Sequence, residues 1–405
     1  MPGRRTGPAA DREVEVAAEG RSRRDFLRRT AVTVAAGGLA TVLPVAYGEP
    51  NGKRKAGDAA GVDASESASL RAHAQARGLL VGCAVIPERL TGEPEYASLV
   101  AHQANILVPE NAMKWAALRP APDRFDFGGA DTIVQFARAH KQRVRGHNLC
   151  WHEALPAWFA STVTKENAAE FLTKHIETVA GRYAGKLQAW DVVNEAIDPK
   201  SGRPDGLRKS PWLEMIGPEY IDLAFRTARK ADGTALLTYN DYGIELDSPD
   251  QTAKREAVMA LVRRMQASGT PIDAVGVQSH LDASTKLPGA GLQQFVRELA
   301  KMGLQVFVTE MDVNDRKITG TVEERDQAVA EVYRNYLSMM LLEPNINVAL
   351  TWGISDRYTW LNGPKYRRAD GQPERPLPFD ADYNPTPAFF AVRTAIDKRQ
   401  LRIWH

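Results

Sequence analysis

The sequence predicts an α/β protein built as one (β/α)8 barrel, and three observations predict it. Eight short apolar runs recur from residue 69 onward. Helix-length amphipathic segments separate them. Run after run then ends in carboxylates, amides, imidazoles or indoles, and a barrel of this kind carries its function at the C-terminal ends of its strands.

The runs lie at 79–85, 105–109, 143–149, 188–193, 235–239, 274–278, 305–309 and 347–353. After the third, Phe171, Leu172, His175, Ile176 and Val179 repeat at helical spacing. After the fourth, Pro218 stands just inside a helix start, ahead of Ile221, Ala224, Phe225 and Ala228 on one stripe. After the fifth, Val258, Leu261, Val262 and Met265 form a further stripe, with Gly269 as its stop signal. Strand and helix alternating eight times argue for a closed barrel rather than an open sheet. With no second repeat family and no Ser/Pro-rich linker after 69, a single catalytic domain spans 69–405.

Composition narrows the class. Hydrophobic residues at 43% and charged residues at 25% exclude a disordered, collagenous or membrane-embedded chain. Lys and Arg number 52 against 50 Asp and Glu, which leaves no concentrated basic surface for nucleic acid. Two cysteines exclude a disulfide scaffold and a thiolate zinc site. Cys83 and Cys150 sit in apolar runs and read as buried thiols, with a disulfide left open.

Much of the basic excess precedes residue 60. Arg23 and Arg24 lead into Phe26-Leu27, then a mild apolar run from Ala31 to Ala46 that Pro44 interrupts, too short to span a bilayer. The paired arginines resemble a twin-arginine export signal, so residues 1–48 are expected to direct export to a periplasmic or extracellular location. No Cys follows the apolar run, which argues against a membrane anchor. Residues 49–68 are Gly, Ala, Ser, Asp and Lys with almost no large apolar side chain, and read as a flexible linker.

The polar strand ends are Pro109-Glu110-Asn111, His147-Asn148-Leu149-Cys150-Trp151-His152, Asn194-Glu195, Asn240-Asp241-Tyr242, Gln278-Ser279-His280, Thr309-Glu310-Met311-Asp312 and Trp352. A loop residue explains any one of these; it does not explain the set. Glu195 and Glu310 end the fourth and seventh runs, which face each other across a barrel mouth. Two facing carboxyls among indoles suit cleavage of a glycosidic bond, one protonated as acid and the other attacking. His147, His152 and His280 make a metal conceivable, but without a His-x-x-x-His pair or a tight carboxylate cluster glycoside chemistry ranks above it, and neither metal nor cofactor is expected.

Pro109-Glu110-Asn111-Ala112-Met113-Lys114-Trp115, Arg145-Gly146-His147-Asn148-Leu149-Cys150-Trp151-His152, Trp190-Asp191-Val192-Val193-Asn194-Glu195-Ala196, Gly276-Val277-Gln278-Ser279-His280 and Thr309-Glu310-Met311-Asp312 resemble, in order, the motifs of glycoside hydrolase family 10, the endo-1,4-β-xylanases. Tyr239-Asn240-Asp241-Tyr242 and Thr351-Trp352-Gly353 fit too. The resemblance covers about 69–400 and implies a retaining (β/α)8 enzyme, acting as a monomer on xylan or xylo-oligosaccharides. It implies Glu195 as acid/base and Glu310 as nucleophile. It puts Asn194 on the 2-hydroxyl of the −1 sugar, with His280 and, through it, Asp312 or a neighbour holding Glu310 oriented and ionised. His147, Lys114 and Gln278 would bind in −1 and Glu110 and Asn111 in −2. Trp151, Trp352 and Trp360 would wall the glycone side, and Tyr242 would serve +1. Asn148, Cys150 and Glu153 depart from the family pattern, and 356–368 is richly basic and aromatic, which bears on substrate preference.

Other residues have blander readings. His140 and His175 read as surface or helix residues without a role. His152 reads as a supporting hydrogen-bonding residue, Trp115, Trp158 and Trp190 as core, and Asp191 as a brace for its strand end. The rival functions are a related (β/α)8 retaining β-glucanase or cellulase and a non-catalytic carbohydrate-binding protein. Glu110-Asn111-x-x-Lys114 and Gly146-His147 favour the xylanase over the first, and the presence of both carboxylates argues against the second.

Overall fold

The structure, a computed structural model, describes residues 68–285 and 289–400. The expected export signal at 1–48 and the linker up to residue 67 lie outside the described residues. The strands are β1 (Leu80–Val85), β2 (Ile106–Pro109), β3 (Arg143–Cys150), β4 (Ala189–Asn194), β5 (Leu236–Asp241), β6 (Ala274–Val277), β7 (His280–Asp282), β8 (Gln305–Asn314) and β9 (Ile346–Thr351). Neighbours pair in parallel from β1 to β6, β6 pairs with β8, β8 with β9, and β9 returns to β1. The sheet thus closes into an eight-stranded barrel surrounded by helices. Each apolar run is one of its strands.

Two departures from the expected strands matter for function. The sixth strand is interrupted: β6 stops at Val277 and β7 resumes at His280. The seventh run extends to Asn314, because its end pairs with β7, His280 against Asp312 and Asp282 against Asn314.

Strand alternation divides the core in two. Ala84, Ile106, Val108, Ala189, Ala274, Phe307, Val348, Leu350 and Trp352 fill the barrel interior. Val81, Cys83, Leu107, Val306, Val308 and Ala349 face outward and pack beneath the helices. The helix Ala168–Arg182 buries Leu172, Ile176 and Val179 as its stripe predicts. It also buries His175, which is no surface residue: its ring stacks on Trp115 at 3.7 Å, and burial, with Arg119 adding to it, pushes its pKa well below the ordinary value. His140 caps a helix end and is exposed. The helix that carries the Ile221 stripe is Tyr220–Ala231, so Pro218 precedes its start, set off by the turn at Gly217 that ends the helix Pro211–Ile216. In the helix Val322–Met340, Thr321 and Glu324 form a reciprocal capping box.

Trp115 and Trp190 are buried core residues, and Trp158 is partly buried with its indole N–H donated to the Arg119 carbonyl at 2.9 Å. Cys83 and Cys150 are both buried and free, and burial pushes the Cys83 thiol up to about 12. Among the described residues no helix is long and apolar enough to cross a membrane.

Candidate active site

Glu195 follows β4 directly and has φ +58°, a left-handed conformation that costs a non-glycine residue roughly 1–3 kcal/mol. Its backbone is held on both sides: its N–H donates to the Asn240 carbonyl at 2.9 Å, and its carbonyl accepts from Arg208 Nε at 2.8 Å. The side chain turns into the barrel mouth. Oε1 accepts from Gln278 Nε2 at 2.9 Å and Asn194 Nδ2 at 3.2 Å, and Oε2 accepts from Trp151 Nε1 at 2.9 Å. A carboxyl oxygen has two lone pairs, so Oε2 is the oxygen with room for a proton. Burial pushes this carboxyl up to about 7, helped by the charges of Asp241 and Glu310, against the lowering bonds from Gln278 and Trp151.

Glu310 on β8 is equally buried but behaves oppositely. Oε1 accepts from Asn240 Nδ2 at 2.8 Å and lies 3.9 Å from both Arg145 Nη2 and His147 Nδ1. Oε2 faces His280 Nε2 at 3.4 Å. Burial would raise its pKa, but the charge at His147, the bond and charge of His280, and Arg145 outweigh burial and hold it at about 2. Two carboxyls in one mouth therefore carry different protonation at neutral pH.

An amide chain joins the two. Asn240 Nδ2, besides Glu310, reaches Asn194 Oδ1 at 2.8 Å, and Asn194 touches Glu195. Thr309 Oγ1 donates to Asn240 Oδ1 at 2.8 Å and fixes the amide's orientation. Gly276 makes room for it, since a Cβ there would overlap Asn240 Oδ1 and come within 2.9 Å of Thr309 Cγ2.

On the other side of Glu310, His280 Nδ1 meets Asp312 Oδ1 at 2.9 Å, and Asp312 Oδ2 accepts from Trp360 Nε1 at 2.7 Å. Burial alone would lower the His280 pKa, but Asp312 and Glu310 raise it well above the ordinary value. Trp352 stands edge-on to the His147 ring at 5.3 Å and the His280 ring at 6.4 Å. Lys114 Nζ lies 5.2 Å from the Trp151 ring and 5.6 Å from the Trp352 ring, and donates to Asn111 Oδ1 at 2.9 Å. Asn111 in turn donates to Glu110 at 3.2 Å. Burial lowers the Lys114 pKa against the fields of Glu310, Glu110 and Glu195, and raises that of Glu110 against Lys114 and Asn111. Tyr242 is exposed at the rim, its hydroxyl accepting from Arg208 at 3.0 Å and its ring 4.0 Å from Lys254 Nζ. The structure thus gathers the expected residues around one mouth, with Asn111 and Tyr242 most open to solvent.

The profile of the family described as Glycosyl hydrolase family 10 matches residues 69–395. The chain belongs to that family. A curated relative, endo-1,4-beta-xylanase B of Thermotoga neapolitana, is 36% identical over 309 residues, 75% of this chain and 84% of that protein. The crystal structure of native xylanase 10B from Thermotoga maritima matches with a TM-score of 0.74 at 35% identity, over 82% of this chain and 98% of that one. Xylanase 10B from Thermotoga petrophila RKU-1 in complex with xylobiose matches equally, at TM-score 0.74 and 35% identity, over 82% of this chain and 97% of that one.

Sequence reasoning missed two residues of this family 10 site. Arg145 is fully buried and grips Asp191 through two nitrogens, Nε at 3.0 Å and the shorter Nη2 contact, while its Nη1 reaches the Thr309 carbonyl at 3.4 Å. His147 Nδ1 meets the same Asp191 at 2.7 Å, so Asp191 braces Arg145 and His147 as well as its strand. Period-2 spacing could have found Arg145, which shares a strand face with His147. Asn240 stood among the polar strand ends but was given no role. His147, Asp191 and Glu310 bring ligand atoms within 4.8 Å of one another, a tighter cluster than the sequence suggested. The Arg145 guanidinium lies against both carboxylates of that cluster and already supplies positive charge there. His152 lines a cavity with Trp151, Asn194 and Glu195; burial, Arg208 and Lys254 lower its pKa to about 4, so it is neutral beside Trp151.

Proposed function

We propose that this family 10 glycosidase cuts internal β-1,4-xylosidic bonds of xylan by double displacement, with Glu310 as nucleophile and Glu195 as acid/base. The single observation that carries the reading is the opposed pair: a buried carboxyl at about 7 and another at about 2, joined by the Asn194–Asn240 amides. The ionised Glu310 attacks the anomeric carbon while Glu195 delivers its proton to the departing glycosidic oxygen. Forming the ester neutralises Glu310. One of the two like charges that help burial raise the Glu195 pKa is then gone, which suits Glu195 to take a proton from the incoming water. Water attacks the same carbon, the ester bond breaks, and configuration is retained.

The xylan preference rests on the glycone wall. Trp360 is pinned by Asp312, and Trp352 is packed into the barrel interior, so neither indole yields easily to the hydroxymethyl of glucose. A misfit methylene is worth roughly 1–3 kcal/mol, and unpaired polar groups add to it. Xylotetraose is expected to be cut with kcat/KM at least about a hundredfold above cellotetraose, roughly 2.7 kcal/mol in the transition state. Trp352→Ala should narrow that gap. Equal rates on the two tetrasaccharides for the unaltered enzyme would favour a β-glucanase.

We further propose that residues 1–48 export the enzyme by the twin-arginine route, on the strength of Arg23-Arg24 ahead of the apolar run. Replacing both arginines by lysine should leave precursor in the cytoplasm, and undiminished secretion would point to the general secretory route.

A further inference from the structure

Between β6 and β7 lies a two-residue break, Gln278 and Ser279. The residues flanking Ser279 serve different carboxylates: Gln278 donates to Glu195 at 2.9 Å, and His280 faces Glu310 at 3.4 Å. The Gln278 backbone is involved as well, its carbonyl accepting the Glu310 N–H at 2.9 Å. Ser279 has φ +66°, a left-handed step that a serine takes only when its surroundings enforce it. In a continuous strand residues 278 and 280 would share a face at a fixed spacing. The step at Ser279 is what lets them reach two targets.

Glu245 supplies the enforcement. It sits in the segment after β5, is buried, and its Oε1 accepts the Ser279 N–H at 3.0 Å. Its Oε2 accepts the Ile244 N–H at 2.8 Å. The Ser279 hydroxyl is tied from the other side, to the Val277 carbonyl at 3.1 Å and the Tyr336 hydroxyl at 2.7 Å. Both oxygens of Glu245 face donors. A glutamine would turn an NH2 against one of them, so the position calls for a group that only accepts. Burying a carboxylate is unfavourable unless its hydrogen bonds compensate. Here those bonds are spent on the backbone of Ile244 and of Ser279, the residue between the two that meet the candidate acid/base and the candidate nucleophile.

We propose that Glu245 is a positioning residue that, by holding the Ser279 amide, sets Gln278 against Glu195 and His280 against Glu310 together. The inference rests on the reading of Glu195 as acid/base and Glu310 as nucleophile. It is tested with Glu245→Gln, assayed on an aryl β-xylobioside across pH. Activity is normalised to active sites titrated with a 2-fluoro-xylobioside. The expected result is a kcat per titrated site at least about tenfold lower with KM changed far less. The alkaline limb of the pH profile should also move upward, because Glu195 loses the Gln278 bond that lowers it. Adding Ser279→Gly should restore much of both, since glycine takes the left-handed step unaided. Glu245→Asp, one methylene shorter, should move the limb in the same direction and serves if the glutamine variant does not fold. A purely structural role would lower Tm and leave the limb and kcat per titrated site unchanged, and that result overturns the inference. A loss that Ser279→Gly does not relieve overturns it too. Labelling at a residue other than Glu310 would instead overturn the underlying reading.

Discussion

Glu195 and Glu310 are the same side chain in similar burial, so the difference between them comes from neighbours. Glu310 looks at His280, His147 and Arg145, whereas Glu195 looks at neutral N–H donors and at the negative charges of Asp241 and Glu310. This has a sign for stability. The folded-state pKa of Glu195 is raised, so its contribution is present below the unfolded value near 4.5 and is lost as pH rises through about 7. That of Glu310 is lowered, so its contribution is present above about 4.5 and is lost as pH falls toward 2. Accordingly, kcat/KM should decline with an alkaline limb near pH 7 as Glu195 loses its proton. The Tm of Glu195→Gln should gain on the unaltered enzyme between about pH 5 and 8. A limb near the ordinary carboxyl value, or a Tm difference independent of pH, would contradict the account. At this scale the sequence was legible where a charged residue ended a strand. It was not legible for Arg145 and Asn240, whose roles depend on which atoms they meet across strands.

The elements explain why. All eight strands could be read from apolar runs, because a barrel strand packs on both faces and most of its residues are apolar; Arg145 and Asp191 are internal exceptions that satisfy each other. The irregularities could not be read. Register shifts occur between His147 and Cys150 on β3, between Asp191 and Val193 on β4, and between Val308 and Met311 on β8. Each lies where a site residue departs from its strand, and such bulges re-aim side chains. The break between β6 and β7 is another case, since nothing in Gln278-Ser279-His280 announces a left-handed serine. Gly276 makes the elemental argument testable. A methyl group there displaces the Asn240 amide that links the two carboxyls. Overpacking of this kind costs roughly 1–3 kcal/mol. Gly276→Ala should keep the circular dichroism of the barrel while lowering kcat at least about tenfold, and unchanged kcat would mean that the amide bridge is dispensable.

For the whole molecule, closure of the sheet is what makes two distant carboxyls neighbours. Going round the barrel, β4 and β8 are separated by β5 and β6 one way and by β3, β2, β1 and β9 the other. Their ends therefore look toward each other across the mouth rather than lying side by side. That arrangement followed from the order of the runs. The ordered motifs pointed to the family, and the family match covers the same stretch of chain. What the order of runs could not give was the shape of the wall. The pinning of Trp360 by Asp312 and the position of Lys114 between two indoles depend on loops of no regular period.

The most direct measurement is mass spectrometry of the enzyme after reaction with a 2-fluoro-β-xylobioside bearing a good leaving group. The fluorine slows both steps, and the leaving group lets the first proceed, so a covalent intermediate accumulates. The account predicts a stable adduct of one fluoroxylobiosyl unit per chain, located by proteolysis on the peptide carrying Glu310. A rapidly turned-over probe with no adduct, or an adduct on any other residue, would contradict it.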